Sequence, residues 1–332
     1  MSACAYILLL ADVHANRDAL VRVAQDARGR YRDHWPLKIW FLGDLFGRGP
    51  APVSTWRWLM LNNPEASVVG NHDWGVIGKL RTIQVAAEWD GDFGPQTDWP
   101  VILKHRQELA GVGLLALDGD QQPQGGEVLA GLTTWPLVCS PRPSICLVHG
   151  GADWPLEAQE EPPSLGSGLD HYGWGYVKGP EDARCTLRWL RWLYENRSQG
   201  LTTIPTGRPP EAPRLVIVGH YHRRVLYHDG RGDAGWESVV ELDREYGLDA
   251  HSEHPALISP GSVGFPREDH DRDASYAVLR LEHGVACSVA FHKVPFDRDA
   301  VRADMERKGY PQQVARYLYM PGESVGETIH PH

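Results

Sequence analysis

Seven side chains able to donate oxygen or nitrogen to a metal ion occur in the order Asp12, His14, Asp44, Asn71, His149, His220 and His222. Five short apolar runs lead into them: ILLLADVH (7–14), IWFLGD (39–44), SVVGNHD (67–73), ICLVHGG (145–151) and RLVIVGHYH (214–222). An apolar run that stops abruptly at glycine and a polar residue reads as a buried strand whose carboxyl end opens into a site. If the five share one sheet, their polar ends converge on one edge, the edge at which open α/β sheets bind ligands. Seven such donors suffice for two metal ions.

The elements that must carry these residues follow from the local patterns. Residues 1 to about 80 alternate strand and helix: Tyr6–Ala11, Asn16–Arg28, Lys38–Leu42, Pro52–Leu61, Ser67–Val69, then a helix from Trp74. Such alternation implies parallel strands joined by crossover helices. Asn16 is suited to cap the first helix and Gly29 to stop it. The Gly-, Asp- and Pro-rich stretch 88–100 reads as a surface loop before a helix at Val101–Ala110, and further strands are expected at Leu114–Leu117, Gly131–Trp135 and Ser144–Val148. Residues 150–180 have no period, follow His149 directly and read as an insert able to act as a lid, with Tyr172, Trp174 and Tyr176 available for stacking. An amphipathic helix spans 181–195. The last third is strand-rich, at Val225–Tyr227, Ser238–Leu242, Ala256–Ile258, Tyr276–Leu281 and Cys287–His292, and closes with helices near Arg298–Lys308 and Gln312–Tyr319. No repeat or linker divides the 332 residues, which read as a single domain.

Composition narrows the function classes. The formal net charge of −10 disfavours nucleic acid or an anionic membrane as partner, although a metal cluster would make a positive pocket inside an acidic shell. Five cysteines, at 4, 139, 146, 185 and 287, are scattered without a CxxC pair, which fits a reducing cytoplasm and not a disulfide framework or a thiolate zinc site. The apolar N-terminal stretch is too short to span a bilayer and runs straight into Asp12. Of the thirteen tryptophans, Trp56, Trp58, Trp189 and Trp192 stand at helical spacing among leucines and read as core.

Taken together, D-x-H at 12–14, G-D at 43–44, G-N-H-D at 70–73, H-G at 149–150 and G-H-x-H at 219–222 resemble the calcineurin-like metallophosphoesterase superfamily, over residues 7–222 and in the family's order. The resemblance implies an α/β fold, a four-layer α-β-β-α sandwich of two mixed sheets. It implies one cation held by Asp12, His14, Asp44 and His222 and a second by Asp44, Asn71, His149 and His220, with Asp44 bridging. A carboxylate can serve two cations about 3.5–4 Å apart, a spacing suited to phosphoester hydrolysis by water activated between them. Imidazole and carboxylate donors without thiolate suit Mn, Fe, Zn, Co or Ni; manganese is the expected ion.

His72 matches the family's non-ligating histidine that protonates the leaving oxygen or steadies the transition state, and Asp73 could orient its ring. GDLFGRG (43–49) resembles the GDxVDRG of the protein-phosphatase branch, in which the arginine, here Arg48, grips phosphate. The chain departs from that branch at Gly47, where an aspartate is expected, and at Val69, where a second arginine would stand, which argues against serine/threonine protein phosphatase activity. HAN (14–16) and SPGSVGFPR (259–267) resemble the small bacterial and archaeal phosphodiesterase-like branch instead, with Ser262 and Arg267 lending polar groups near the metal edge. The expected substrate is a phosphorylated small molecule or a nucleotide, as phosphodiester or phosphomonoester. A non-catalytic scaffold or a serine/threonine protein phosphatase is the alternative; scaffold members tend to lose ligands or the acid histidine, which this chain keeps. Tyr221, between two of the histidines, is expected to point away and pack.

Overall fold

The computed structural model describes residues 4–79, 98–152, 175–195, 212–230, 235–237, 241–248, 254–268 and 272–319. The first sheet takes β1 (Cys4–Leu10), β2 (Lys38–Phe41), β3 (Ala66–Ser67), β11 (Glu245–Gly247), β13 (Ala274–Glu282) and β14 (Val285–Val294), in the order β11-β14-β13-β1-β2-β3. The second takes β6 (Val138–Arg142), β7 (Ile145–Val148), β8 (Leu215–Val218), β9 (Arg224–His228), β10 (Trp236–Glu237) and β12 (Ala256–Pro260), in the order β10-β9-β12-β8-β7-β6. A small ribbon pairs β4 (Ala116–Leu117) with β5 (Pro123–Gly125). Both large sheets are mixed. β1, β2 and β3 run parallel, as do β7, β8 and β12, while β13 is antiparallel to β1 and β9 to β12. The five motif-bearing strands therefore do not share one sheet: three lie in the first and two in the second.

The sandwich follows from which way alternate side chains point. Ile7 and Leu9 of β1 join Ile145, Leu147, Leu215 and Ile217 in an apolar cluster between the sheets. Leu8 and Leu10 point the other way, into a cluster shared with α1 (Arg17–Arg30), α2 (Pro52–Asn62), α4 (Asp98–Gly111), α5 (Glu127–Thr134) and α7 (Arg298–Arg307); α3 (Asn71–Val76) and α8 (Gln312–Ala315) join the same layer. Cys146, Val148, Val216 and Val218 face α6 (Pro180–Glu195) through Ala183, Leu187, Trp189 and Leu190. Three apolar seams separate four layers, helix, sheet, sheet, helix, because strands buried on both faces carry hydrophobic residues at every position.

Several local expectations change. Gly131–Trp135 is not a strand; it falls largely in α5, where Val128 and Leu132, four residues apart, are both fully buried and Gly131 lets the Trp56 ring approach to where a Cβ would stand 2.6 Å away. Gly29 does not end α1, which continues to Arg30, whose Nε bonds Asp26 one turn back at 2.8 Å. Of Ser238–Leu242, residues 238–240 lie outside the described residues and Leu242 sits in a turn; β11 follows it and pairs with β14. Most of the 88–100 loop and of the 150–180 insert, with Tyr172 and Trp174, lies outside the described residues, so the lid reading does too. Trp56 and Trp189 are core residues, and Trp58 and Trp192 pack partly buried against the same clusters.

Trp56 ties three elements together: its ring stacks near Phe46 (6.2 Å) and Trp135 (6.3 Å), and its Nε1–H donates to Glu127 at 2.9 Å. Trp56→Ala is expected to destabilise the protein by about 3–5 kcal/mol in urea unfolding, the usual cost of deleting a buried aromatic. A loss below about 1 kcal/mol would mean that α5 does not rest on this ring.

Candidate metal centre

The loops that follow β1, β2 and β8 hold Asp12 (φ 52°), His14 (φ 49°), Asp44 (φ 55°), His220 (φ 64°) and His222 (φ 63°) in the left-handed region. Non-glycine residues there cost roughly 1 kcal/mol each and gather at functional sites. Hydrogen bonds between the loops hold them in place. Asp12 N–H donates to Gly43 O (3.1 Å) and His14 N–H to Asp44 O (2.9 Å), joining the ends of β1 and β2. The Asp12 carboxylate crosses to the second sheet, accepting from the His220 N–H at 3.1 and 3.0 Å. The turn after β12 closes over both: Val263 N–H donates to Ala11 O, Gly264 N–H to Asp12 O, and Ser262 Oγ–H to Asp12 O at 2.9 Å. Asn16 caps α1 as expected and donates to Gly264 O at 2.9 Å. Ser262 thus serves the backbone of Asp12.

All seven candidate donors come from these loops, the start of α3 and the end of β7, and the titratable six form two compact groups. The donor atoms of Asp12, His14 and His222 lie within 4.8 Å of one another, and so do those of Asp44, His149 and His220; His14, Asp44 and His72 form a third such group linking them. Asn71 Oδ1 is 3.2 Å from His149 Nε2. Asp44 Oδ2 lies 3.3 Å from His149 Nε2, 3.7 Å from His14 Nε2 and 4.0 Å from His72 Nε2, central to the cluster.

The imidazole tautomers are set by second partners. His14 Nδ1 is 2.9 Å from Phe46 O, His149 Nδ1 2.6 Å from Leu42 O, and His222 Nδ1 2.6 Å from Phe265 O. A carbonyl only accepts, so each Nδ1 carries a proton and donates it, and in the neutral form of each ring the Nε2 lone pair is aimed inward. His14 Nε2 and His222 Nε2 then face one another at 3.0 Å with no proton to share. Asp44 Oδ2 is buried without a hydrogen-bond partner among the described residues. Lone pairs converging on lone pairs, beside an unsatisfied buried carboxylate oxygen, fit a cation and fit little else.

Burial dominates the titration. It drives His14, His220 and His222 well below the ordinary histidine range, lowers His72, and pushes the Asp12 carboxyl up to about 7. Burial alone would lower His149, but the Asp44 carboxylate beside it raises it to about 9; burial opposes ionisation of Asp44, and His149 nevertheless holds it below the usual carboxylate range. A cation in the cluster would displace the His149 proton and keep both carboxylates ionised.

The expected catalytic residues are placed unequally. His72 is nearly buried at the edge of the group, its ring edge-on to His14 at 4.7 Å. Asp73 does not orient that ring: its carboxylate accepts from the backbone N–H of Asp44 (2.9 Å), Leu45 (2.9 Å), Phe46 (3.1 Å) and Gly70 (3.0 Å), and His72 Nδ1 has no hydrogen-bond partner among the described residues. Four amides converging on one carboxylate make Asp73 the frame of the Asp44 loop. Arg48 is 3% exposed, pairs with Asp98 at 3.6 Å and lies 5.4 Å from the Tyr317 ring. Gly47 has an evident reason to replace aspartate: a Cβ there would stand 2.5 Å from His14 Nδ1 and 2.7 Å from His72 Nδ1.

Two contributors, His105 and Asp98, escaped the sequence. His105 brackets the arginine loop, its Nδ1 accepting from Gly47 N–H (3.2 Å) and its Nε2 contacting Gly49 O (2.8 Å). Asp98 lies two turns earlier on the same face of α4, and that spacing of seven was the available signal. Tyr176 stacks on His220 at 4.5 Å and 11°, so it braces a centre residue; Tyr221 packs partly buried against the outer seam, as expected.

Comparison with known proteins agrees with this fold. The family model described as calcineurin-like phosphoesterase matches residues 5–250. An uncharacterised protein of Methanocaldococcus jannaschii is 40% identical over 73 residues, 22% of this chain, and the chain spans 28% of the length of that relative. Among solved structures, a metallophosphoesterase from Sphaerobacter thermophilus superposes with a TM-score of 0.59 at 23% identity, covering 94% of this chain and 98% of its own. A hypothetical protein from Pyrococcus horikoshii OT3 gives 0.58 at 15% identity, covering 96% and 99%. At these identities the two structures speak for the fold.

Proposed function

Since the chain belongs to the calcineurin-like phosphoesterase family, we propose that it hydrolyses phosphodiester or phosphomonoester bonds with two divalent cations, one held by Asp12, His14, Asp44 and His222 and the other by Asp44, Asn71, His149 and His220. The observation that carries this reading is the set of three Nδ1–H groups committed to carbonyls, which turns three Nε2 lone pairs toward two buried carboxylates. Bound there, the cations would bring water near neutral pKa and neutralise charge on the phosphoryl oxygens. The chain's own residues supply the rest. His72 delivers a proton from Nε2 to the leaving oxygen, Arg48 binds phosphoryl oxygens through its planar fork, and Asp73 with His105 holds the one loop after β2 that carries both Asp44 and Arg48.

Manganese is the native ion in this proposal, the substrate a phosphorylated small molecule or nucleotide, and the compartment a reducing cytoplasm, where the five free cysteines would remain thiols. Among the described residues no helix is long and apolar enough to cross a membrane. Protein charged with Mn²⁺ is expected to retain about two equivalents of metal and to turn over p-nitrophenyl phosphate or bis-p-nitrophenyl phosphate. Less than one equivalent bound, with no turnover under any divalent ion, would favour the scaffold alternative.

A further inference from the structure

The clasping turn after β12 delivers one more cation to the centre. Arg267 N–H donates to His222 O at 3.1 Å, and its guanidinium lies over the Tyr176 ring, 5.5 Å from the centroid. Tyr176 in turn stacks on His220. Arg267 is thereby carried on the second-sheet side of the centre, against His220 and His222. Arg48 comes from the loop after β2, on the first-sheet side. Arg48 follows Gly47, which sits directly against the His14 and His72 rings, so the two arginines flank the centre from two directions.

That arrangement bears on a gap in the sequence pattern. Val69, where the protein-phosphatase pattern has its second arginine, is fully buried in the outer seam with Leu137 and Val138 and brings no charge to the centre. We propose that Arg267, braced by Tyr176, is that missing second arginine supplied from another part of the chain, and that with Arg48 it selects a dianionic phosphoryl group, a phosphomonoester or terminal phosphate, over a singly charged phosphodiester. The inference rests on the phosphoesterase reading above and narrows its substrate class. A monoester has a second ionisation near pH 6 and carries close to two charges at pH 8, whereas a diester carries one. Two planar forks can each take a pair of oxygens, which a diester cannot offer on both sides because two of its oxygens are esterified.

The test is calorimetry on the manganese-loaded protein at pH 8, with inorganic phosphate as the dianion and dimethyl phosphate as the monoanion. The wild type is expected to bind phosphate at least about tenfold more tightly than dimethyl phosphate, and Arg267→Gln to weaken phosphate roughly 10–100-fold while dimethyl phosphate changes by less than about threefold. Arg267→Lys, which keeps charge without the fork, should fall between, and it carries the test if the glutamine variant loses metal or fold. Equal losses for both ligands, or none for phosphate, would overturn the clamp. Phosphate selectivity that depends on Arg267, without turnover of either nitrophenyl compound, would leave the clamp standing and remove the hydrolytic reading. Turnover of both compounds, with selectivity unmoved in Arg267→Gln, would remove the clamp alone.

Discussion

Asp44→Asn is expected to lower kcat/KM by on the order of a thousandfold or more and to reduce bound metal below two equivalents, because several kcal/mol of charge stabilisation rest on this one carboxylate. Its two oxygens have separate duties. Oδ1 accepts from the His72 N–H at 2.9 Å, which an amide oxygen can still do. Oδ2 is central to the cluster, with His149, His14 and His72 around it and no hydrogen bond of its own among the described residues. Asparagine would put an NH₂ group there, which cannot ligate and would donate toward the inward imidazoles. The fold should survive, since the loop is held by its backbone bonds to Asp73 and His14. Metal analysis and kinetics on one preparation decide the matter: two retained equivalents with activity within about tenfold of wild type would show that Asp44 does not bridge.

The second large effect is kinetic without being stoichiometric. His72→Ala is expected to lower kcat by about 10²–10⁴, the usual contribution of a positioned acid, with metal content unchanged. The geometry allows this separation. His72 touches the cluster mainly through its backbone N–H to Asp44, which alanine keeps, while its Nε2 stands 4.0 Å from Asp44 Oδ2 at the edge of the group. Since His72 also lies close enough to His14 and Asp44 to complete a three-donor group, the competing assignment is that it ligates. Loss of a metal equivalent in the alanine variant would support that competitor, and an unchanged kcat would leave His72 with no chemical role.

What could be read from the chain alone divides along physical lines. Strand ends were legible because burial and chemistry change sign within two residues: LLLAD and VIVGH announce where a doubly buried strand stops and a polar loop begins. The division of those strands between two sheets was not legible in the runs themselves, since a strand packed on both faces reads alike in either sheet. Gly131–Trp135 misled because threonines beside a tryptophan favour strands, while the deciding contact, Gly131 against Trp56, joins residues far apart in the chain. Asp73 misled in another way. Adjacency to His72 suggested a partnership between side chains, whereas the first turn of α3 points the carboxylate back at the amides of the Asp44 loop. His105 matters through the loop that it supports, and such a role leaves no local pattern.

The turn that clasps Asp12 arrives late in the chain. Every proposed donor lies at or before His222, yet Ser262, Val263 and Gly264, which hold the Asp12 segment in its left-handed conformation, and β13, which flanks β1, come afterwards. A nascent polypeptide emerging from the ribosome therefore displays all seven donors before the frame that orients them has been translated. Cation capture belongs after synthesis of the C-terminal third, and truncation before Ser262 should give a product with the full donor set that cannot be charged with metal.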